Sequence, residues 1–376
     1  MELFDVYPRF DVTPVLGKGC YVYDEAGVEY LDCYGGHAVI SVGHAHPSYV
    51  EALTSQLKKL SFYSNSVNIP IQDELAHKLG KASGYEDYNL FLCNSGAEAN
   101  ENALKLASFH NGKSKVIAFK NSFHGRTAAA LRVTDNVKLA APINQNSFET
   151  VFVELNDLAT VENHLKNKDV CAVIIEGIQG VGGLDMPTDD FLKALRAACD
   201  EHGALLILDE IQSGFLRTGK FFAHQFSGIK PDIISMAKGM GNGFPVAGIL
   251  IDPRIKASSG LLGTTFGGNQ LACASVLSVL DILEEEHVAA NVETQEKWLV
   301  NELKDLPRVK KIKGRGLMIG VEFDFPIKDL RTKLLFDHRI FTGSSKDPNV
   351  IRVLPPLNIG QADLEKLVTA LKQLLG

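Results

Sequence analysis

Five short polar segments of this 376-residue chain each follow a run of strongly apolar residues, and together they hold most of the groups able to do chemistry. Asn94-Ser95-Gly96-Ala97 follows Leu92, and Ser122-Phe123-His124-Gly125-Arg126-Thr127 follows Phe119. Glu176-Gly177-Ile178-Gln179-Gly180 follows Ile175, Asp209-Glu210-Ile211-Gln212 follows Leu208, and Ala237-Lys238-Gly239 follows Met236. Ser95, Gly96 and Ala97 at a strand-to-helix turn offer a hydroxyl, close backbone approach and helix amides to an anion such as a phosphate; a plain capping turn uses the same residues. Asp209 ends five apolar residues, where a lone carboxylate is costly, so it needs a cationic partner. An arginine would serve, and so would a protonated pyridine nitrogen, which would make the ring an electron sink. Ile211 lies on the same side as Asp209 if the chain stays extended and would set an apolar body against such a ring, with Gln212 placed to donate to a ring oxygen. Lys238, 29 residues after Asp209, is either a solvated surface lysine or an amine that attacks a carbonyl and later moves a proton. The glycines that follow it lead to Pro245 without a GxGxxG or GxxxxGKS pattern, so no nucleotide site is expected there.

The elements that must position these groups are legible in the pattern. Leu90 to Leu92, Val116 to Phe119, Val170 to Ile175, Ala204 to Leu208 and Ile233 to Met236 read as strands buried on both faces, the mark of a parallel sheet covered by helices. Phe191, Leu192, Leu195, Ala198 and Cys199 repeat with helical period behind Thr188 and Asp189 as capping candidates, which gives a βαβ unit. A helix is also expected from Glu98 to His110. In an open parallel sheet, ligands bind beyond the carboxyl ends of the strands, where the five polar segments fall. Near the C-terminus a strand-like Val350 to Leu354, the Pro355-Pro356 break and a helical run from Leu364 to Leu375 indicate a second, smaller α/β domain. The N-terminal residues read as strand and turn, with Tyr21 to Tyr23 and Glu29 to Asp32 flanking Asp24 to Gly27. The expected division is residues 1–42 and 263–376 in the small domain and 43–262 in the large one.

Composition narrows the class. A net charge of −7 gives no attraction for nucleic acid or anionic lipid, so neither is an expected partner. The longest apolar runs are far shorter than the roughly 20 residues of a membrane-spanning helix, and the first 20 residues carry no secretory or transit pattern, so the cytoplasm is expected. Six scattered cysteines without a CxxC pair are expected to be reduced. His44 and His46, with His37 nearby, have no carboxylate or cysteine at supporting spacing, so no metal is expected.

Seven ordered motifs carry a resemblance that runs almost end to end. They are GHAHP from Gly43, FLCNSGAEANENALKLA from Phe91, FHGRT from Phe123, LDEIQSGFLRTGKFFA from Leu208, AKGMGNGFPVAG from Ala237, TTFGGNQLACA from Thr264 and IRVLPPL from Ile351. With these the chain resembles the class III pyridoxal-phosphate aminotransferases of fold type I, and within them the N-acylornithine (acetyl or succinyl) aminotransferases. The resemblance implies a mostly parallel, seven-stranded-type central sheet flanked by helices, with a smaller α/β domain. It implies that Lys238 holds pyridoxal 5'-phosphate covalently, that Asp209 partners the pyridine nitrogen and that Gln212 lies at the phenolic oxygen. Phe123 and Ile211 would sandwich the ring, Gly96 and Ala97 would cradle the phosphate, and Ser95 and Glu210 complete the expected cofactor set. Thr265 matches a phosphate ligand supplied by the second subunit, which implies a homodimer with shared sites. Arg126 and Thr264 match contacts to acylornithine, and Arg352 matches the grip on the α-carboxylate of glutamate or 2-oxoglutarate.

Two arginines suit two unlike substrates. Acylornithine reacts at its terminal amine and carries its carboxylate far from the cofactor, whereas glutamate has one carboxylate near and one far. The expected reaction is N-acyl-L-ornithine + 2-oxoglutarate ⇌ N-acyl-L-glutamate 5-semialdehyde + L-glutamate, a step of arginine biosynthesis. Another ω-amine aminotransferase, acting on ornithine or 4-aminobutyrate, and a cofactor-binding protein without turnover are the alternatives. One departure stands out: many relatives read EPIQGEGG where this chain reads Glu176-Gly177-Ile178-Gln179-Gly180-Val181-Gly182-Gly183. The glutamate that pairs in several relatives with the arginine corresponding to Arg352 is here Val181.

Overall fold

The computed structural model describes residues 1–144 and 147–376. Its centre is a seven-stranded sheet in the spatial order Asn89–Cys93, Ala247–Ile251, Ile233–Met236, Leu205–Asp209, Val170–Glu176, Lys115–Phe119, Thr150–Val153. Every strand runs parallel except Ala247–Ile251, which is antiparallel to both neighbours. Five of the seven coincide with the expected apolar runs to within a residue. Thr150–Val153 and Ala247–Ile251 are strands beyond the expected five; the first is short and half-exposed at the sheet edge, and the second follows the glycines that lead to Pro245.

Two cores cover the sheet, and they divide by the period of two that a strand imposes. Val116, Ala118, Ala172, Ile174 and Ile207 face the helix Gly96–Asn111, while Ile117, Phe119, Val173, Ile175 and Leu208 face the helix Asp189–His202. That second helix starts as its sequence implies: the Thr188 side chain accepts from Phe191 N, the five periodic apolar residues are buried, and Gly203 ends it at φ 66°. Gly96–Asn111 is capped by Ser95, whose hydroxyl accepts from Glu98 N at 3.2 Å, so its N-terminus opens at the carboxyl end of Asn89–Cys93.

Outside this layer lie two four-stranded sheets. One joins Pro14–Lys18, Tyr21–Asp24 and Glu29–Asp32 to Ile340–Phe341, so the chain's two ends meet in one sheet. The other orders Val309–Arg315, Met318–Phe323, Val350–Val353 and Gly343–Ser344. The buried helix Gln270–Glu285 packs on Pro47–Lys59 and Pro70–Ser83. The GHAHP segment makes the turn before Pro47, with Gly43 at φ 88°, and its histidines pair with carboxylates: His44 with Asp32 and His46 with Glu286, both at 2.8 Å. Among the described residues no cluster of three metal-binding side chains occurs, and no helix is long and apolar enough to cross a membrane.

Candidate functional site

A cavity of about 550 Å³ opens at the carboxyl ends of the central strands, and all five polar segments contribute to its wall. Asp209, the last residue of its strand, forms the floor and is 4% exposed. Its Oδ2 accepts from His124 Nδ1 at 2.7 Å and Asn100 Nδ2 at 2.8 Å, and its Oδ1 accepts from Ile211 N at 3.0 Å. Asn100 lies one helical turn beyond Gly96 on the buried face, and its amide also donates to the His124 carbonyl. Sequence reasoning gave neither Asn100 nor His124 a role. The available signal was a wholly buried polar residue on an otherwise apolar helix face, which must have a partner.

The chain does not stay extended after Asp209, as the reading of Ile211 had assumed. Gly214 N bonds to Glu210 O in a tight turn. Ile211 still reaches the cavity wall, because the turn lays it against Gly96, where an added Cβ would stand 2.8 Å from Ile211 Cδ1. The same turn takes Glu210 away from the cavity, contrary to its expected place in the cofactor set. Its Oε1 accepts from His224 Nδ1 at 2.7 Å and His224 N at 2.9 Å, its Oε2 accepts from Ser213 Oγ and Ala223 N, and Tyr85 Oη donates to His224 Nε2 at 2.6 Å. Successive residues at a strand end face opposite ways, so two adjacent carboxylates enter different surroundings.

Lys238 begins the turn after Ile233–Met236 in the left-handed region, φ 50°, an uncommon state for a side chain larger than glycine. Burial holds its ammonium pKa below the ordinary lysine value; Asp209 and Glu176 oppose that shift and Arg352 adds to it. Glu176 lies between, its two oxygens taken by Phe123 N and Gly180 N at 2.9 Å each. Burial raises its carboxyl to about 7; His124 and the two amides oppose the rise and Asp209 adds to it. Phe123, Ser95, Gly96, Ala97, Gln212 and Arg126 all line the cavity. Gln212 donates through Nε2 to His37 O at 3.0 Å, and its buried Oε1 has no partner among the described residues.

Arg352 stands at the edge of this group, on Val350–Val353, buried and, among the described residues, without a carboxylate partner. Its Nε donates to Ser344 O at 2.6 Å and its Nη1 to Gly180 O at 2.8 Å, the carbonyl just before Val181. Burial pushes its pKa down from the ordinary arginine value. Thr264 sits behind the wall, its hydroxyl accepting from Asn94 Nδ2 and Gly267 N. Thr265 is exposed and does not line the cavity of its own chain.

These residues fit a flat, anionic-tailed cofactor with a cationic ring nitrogen. Asp209 keeps acceptor capacity toward the cavity, the wall at Gly96 is one that a Cβ would close, and the long helix behind it presents an N-terminus whose first amides have no intrahelical acceptor. Buried Gln212 Oε1 and His124 Nε2 are polar atoms left without a partner among the described residues.

Comparison with known proteins gives a consistent outcome. The family model for class-III aminotransferases matches residues 7–375. The chain is 39% identical over 377 residues to the acetylornithine aminotransferase of Bacillus subtilis, covering 99% of this chain and 97% of that one. It is 39% identical over 381 residues to the [LysW]-aminoadipate semialdehyde/glutamate semialdehyde transaminase of Sulfurisphaera tokodaii, covering 99% and 97%. In three dimensions it resembles the ornithine aminotransferase of Toxoplasma gondii, with a TM-score of 0.90 at 30% identity, covering 97% of this chain and 90% of that one. With a family match spanning nearly every residue and relatives similar from end to end, this chain belongs to the class-III aminotransferases.

Proposed function

We propose that this chain moves the terminal amino group of an N-acyl-L-ornithine to 2-oxoglutarate, giving N-acyl-L-glutamate 5-semialdehyde and L-glutamate. The observation that carries the reading is the floor of the cavity: a carboxylate fixed by a histidine and an asparagine, facing a lysine at the next strand end, beside a helix N-terminus. Full-length similarity to acetylornithine aminotransferases supports the acylornithine branch.

Pyridoxal phosphate supplies, when bound, an aldehyde that condenses with amines and a protonated ring that accepts the electron pair released when a C–H bond beside nitrogen breaks. Asp209 would hold the ring nitrogen's proton, and His124 and Asn100 keep that carboxylate aimed and unable to turn away. Gly96, Ala97 and Ser95 would hold the phosphate, with Phe123 and Ile211 on the ring faces and Gln212 near its oxygen. Lys238, inclined by burial toward its neutral, nucleophilic form, would attach the cofactor and then carry the proton between the two carbons concerned. Arg126 would bind the carboxylate far from the cofactor, with Thr264 beside it, and Arg352 the near one, each by charge-assisted bonds. A second copy of the chain would bring its Thr265 to the phosphate, which suits that residue's exposure outside its own cavity; residues 1–42 and 263–376 would form the small domain.

The test is a substrate panel of acetylornithine, succinylornithine, ornithine and 4-aminobutyrate with 2-oxoglutarate. Borohydride reduction and peptide mapping accompany it. Turnover is expected to be fastest with an acylornithine, and one cofactor per chain is expected on Lys238. Preference for free ornithine or 4-aminobutyrate overturns the acylornithine reading, and label on another lysine overturns the cofactor assignment.

A further inference from the structure

One buried cation has no part in the site described above. Arg217 lies in the turn that follows Asp209, its amide donating to Gly214 O, and its bulky side chain is only 2% exposed. Its guanidinium meets no carboxylate among the described residues: Nη1 donates to Leu317 O at 3.1 Å and to Pro355 O, and Nη2 is buried without a partner. Burial pushes its pKa down to about 9, with Asp32 opposing the shift. A lone buried charge is costly, and a neutral side chain would fill this place better if packing were all that it required. The turn is strained as well. Phe215 and Leu216 stand in the left-handed region with φ of 56° and 63°, a state that persists only where neighbours enforce it.

What the guanidinium grips is the end of the sheet that carries Arg352. There Met318–Phe323 and Val350–Val353 pair antiparallel, with Ile319 opposite Val353 and Gly320 opposite Arg352. Continuing the same register sets Leu317 opposite Pro355, and a proline has no N–H to donate across the pair. Arg217 Nη1 supplies a donor to both carbonyls, and Leu317 N returns a bond to Arg217 O at 2.9 Å. The two segments approach so closely that a Cβ at Gly316, itself at φ 61°, would stand 2.5 Å from Arg217 O.

The two sides of this contact are held unequally. On one side, Asp209 is fixed by His124 and Asn100, and Glu210 by His224 and Ser213, whatever Arg217 does. On the other, Val350–Val353 is bonded to Met318–Phe323 and to Gly343–Ser344, so Arg352 shifts only as its sheet shifts. We propose that Arg217 is a positioning residue for Arg352: by clamping Leu317 and Pro355 to the turn after Asp209, it sets how far the guanidinium for the near carboxylate stands from the floor of the site. The inference rests on the role proposed above for Arg352 and deepens it. Arg126, which would bind the far carboxylate, belongs to the segment after Lys115–Phe119, outside this clamp.

The test is a double-mutant cycle of Arg217→Met and Arg352→Ala in protein loaded with pyridoxal phosphate. It is read in the two half-reactions by stopped flow, and by calorimetry in the Kd of glutarate, a dicarboxylate with no group to transaminate. Methionine fills the buried space without a charge or a donor. R217M is expected to lose about tenfold in the glutamate and 2-oxoglutarate half and in glutarate affinity, to stay within about twofold in the acylornithine half, and to add nothing in protein already carrying R352A. Losses that add to those of R352A, or that fall equally on both halves, overturn this inference while a selective R352A leaves the role of Arg352 standing. An R352A that damages both halves equally overturns both. If R217M does not fold, R217K takes its place in the cycle. Its ammonium ends one atom short of Nη1, so a loss of at least about threefold confined to the glutamate half is expected, and an unchanged glutamate half overturns the proposal.

Discussion

Asp209 and Arg352 carry opposite charges at two ends of one site, and they are satisfied in different ways. Around Asp209 one oxygen is held by two side chains, His124 and Asn100, mounted beside the sheet and on the helix packed against it, and the other accepts from Ile211 N. Around Arg352 the partners are the carbonyls of Gly180 and Ser344, both in connecting segments. A carboxylate held by buried side-chain donors has one orientation and one use. A guanidinium resting on carbonyl dipoles is oriented but not neutralised, so it keeps its charge for an incoming anion and does not have to release an internal carboxylate first. The floor is built for permanence and the mouth for exchange, and Val181, next to the Gly180 carbonyl, adds no anion there.

The comparison is sharpest at Lys238. Lys238→Ala should reduce turnover by roughly 10³-fold or more, because under the proposed function it removes the amine that would move the proton, while single-turnover assays with preloaded cofactor should show binding less affected than proton transfer. Survival of most of the rate would break the assignment of the floor to chemistry.

The two adjacent carboxylates give the next contrast. Asp209→Asn should lower turnover by about 10²- to 10³-fold, the scale of removing one preorganised electrostatic group, with little loss of thermal stability. Glu210→Gln should do the reverse. Its carboxylate joins His224, Ser213 and two amides in a buried network, so the variant should unfold at lower temperature by the equivalent of about 1–3 kcal/mol while keeping turnover. Paired melting and rate measurements decide it, and equal rate losses in both variants would erase the distinction.

At the mouth, Arg352→Ala should weaken the glutamate and 2-oxoglutarate half-reaction by about 1.5–3 kcal/mol, tenfold to a hundredfold, and spare the acylornithine half. Stopped-flow measurement of the two halves separates them. Equal damage to both would show that Arg352 is part of the floor after all.

The last contrast is at Glu176, between the two regions. Burial places its folded pKa at about 7 against 4.5 ordinarily, so the folded cofactor-free protein holds this proton more tightly than the unfolded chain. The sign follows: stability is greatest below about 4.5, declines as pH rises toward 7 and loses nothing further from this group above it. Glu176→Gln should flatten that decline in melting temperature between pH 5 and 8; an unchanged slope would show that Glu176 is ionised throughout.

The strands that bear Asp209 and Lys238 were legible because each is a short apolar run of five or so residues ending in one polar group, and burial on both faces leaves few other arrangements. The antiparallel Ala247–Ile251 was not, since an apolar run does not reveal its direction; hydrogen bonding to both neighbours fixes that. Ile211 and Glu210 show the same limit at one residue. Their chemistry was readable, but which of them meets the cavity depended on where the strand stops and the turn at Gly214 begins.

By itself, then, the order of residues determined five of the seven central strands, the crevice at their carboxyl ends and the polar groups that fall there, because strand burial and the cost of lone buried charge are local constraints. Tertiary structure decided which distant groups complete them. Asn100 and His124 meet Asp209 across 109 and 85 residues, Arg352 meets the Gly180 carbonyl across 172, and Gln212 meets the His37 carbonyl across 175. These contacts join segments whose separation in the chain carries no periodic signal, so only the packing of sheet, helix and loop against one another could bring them together.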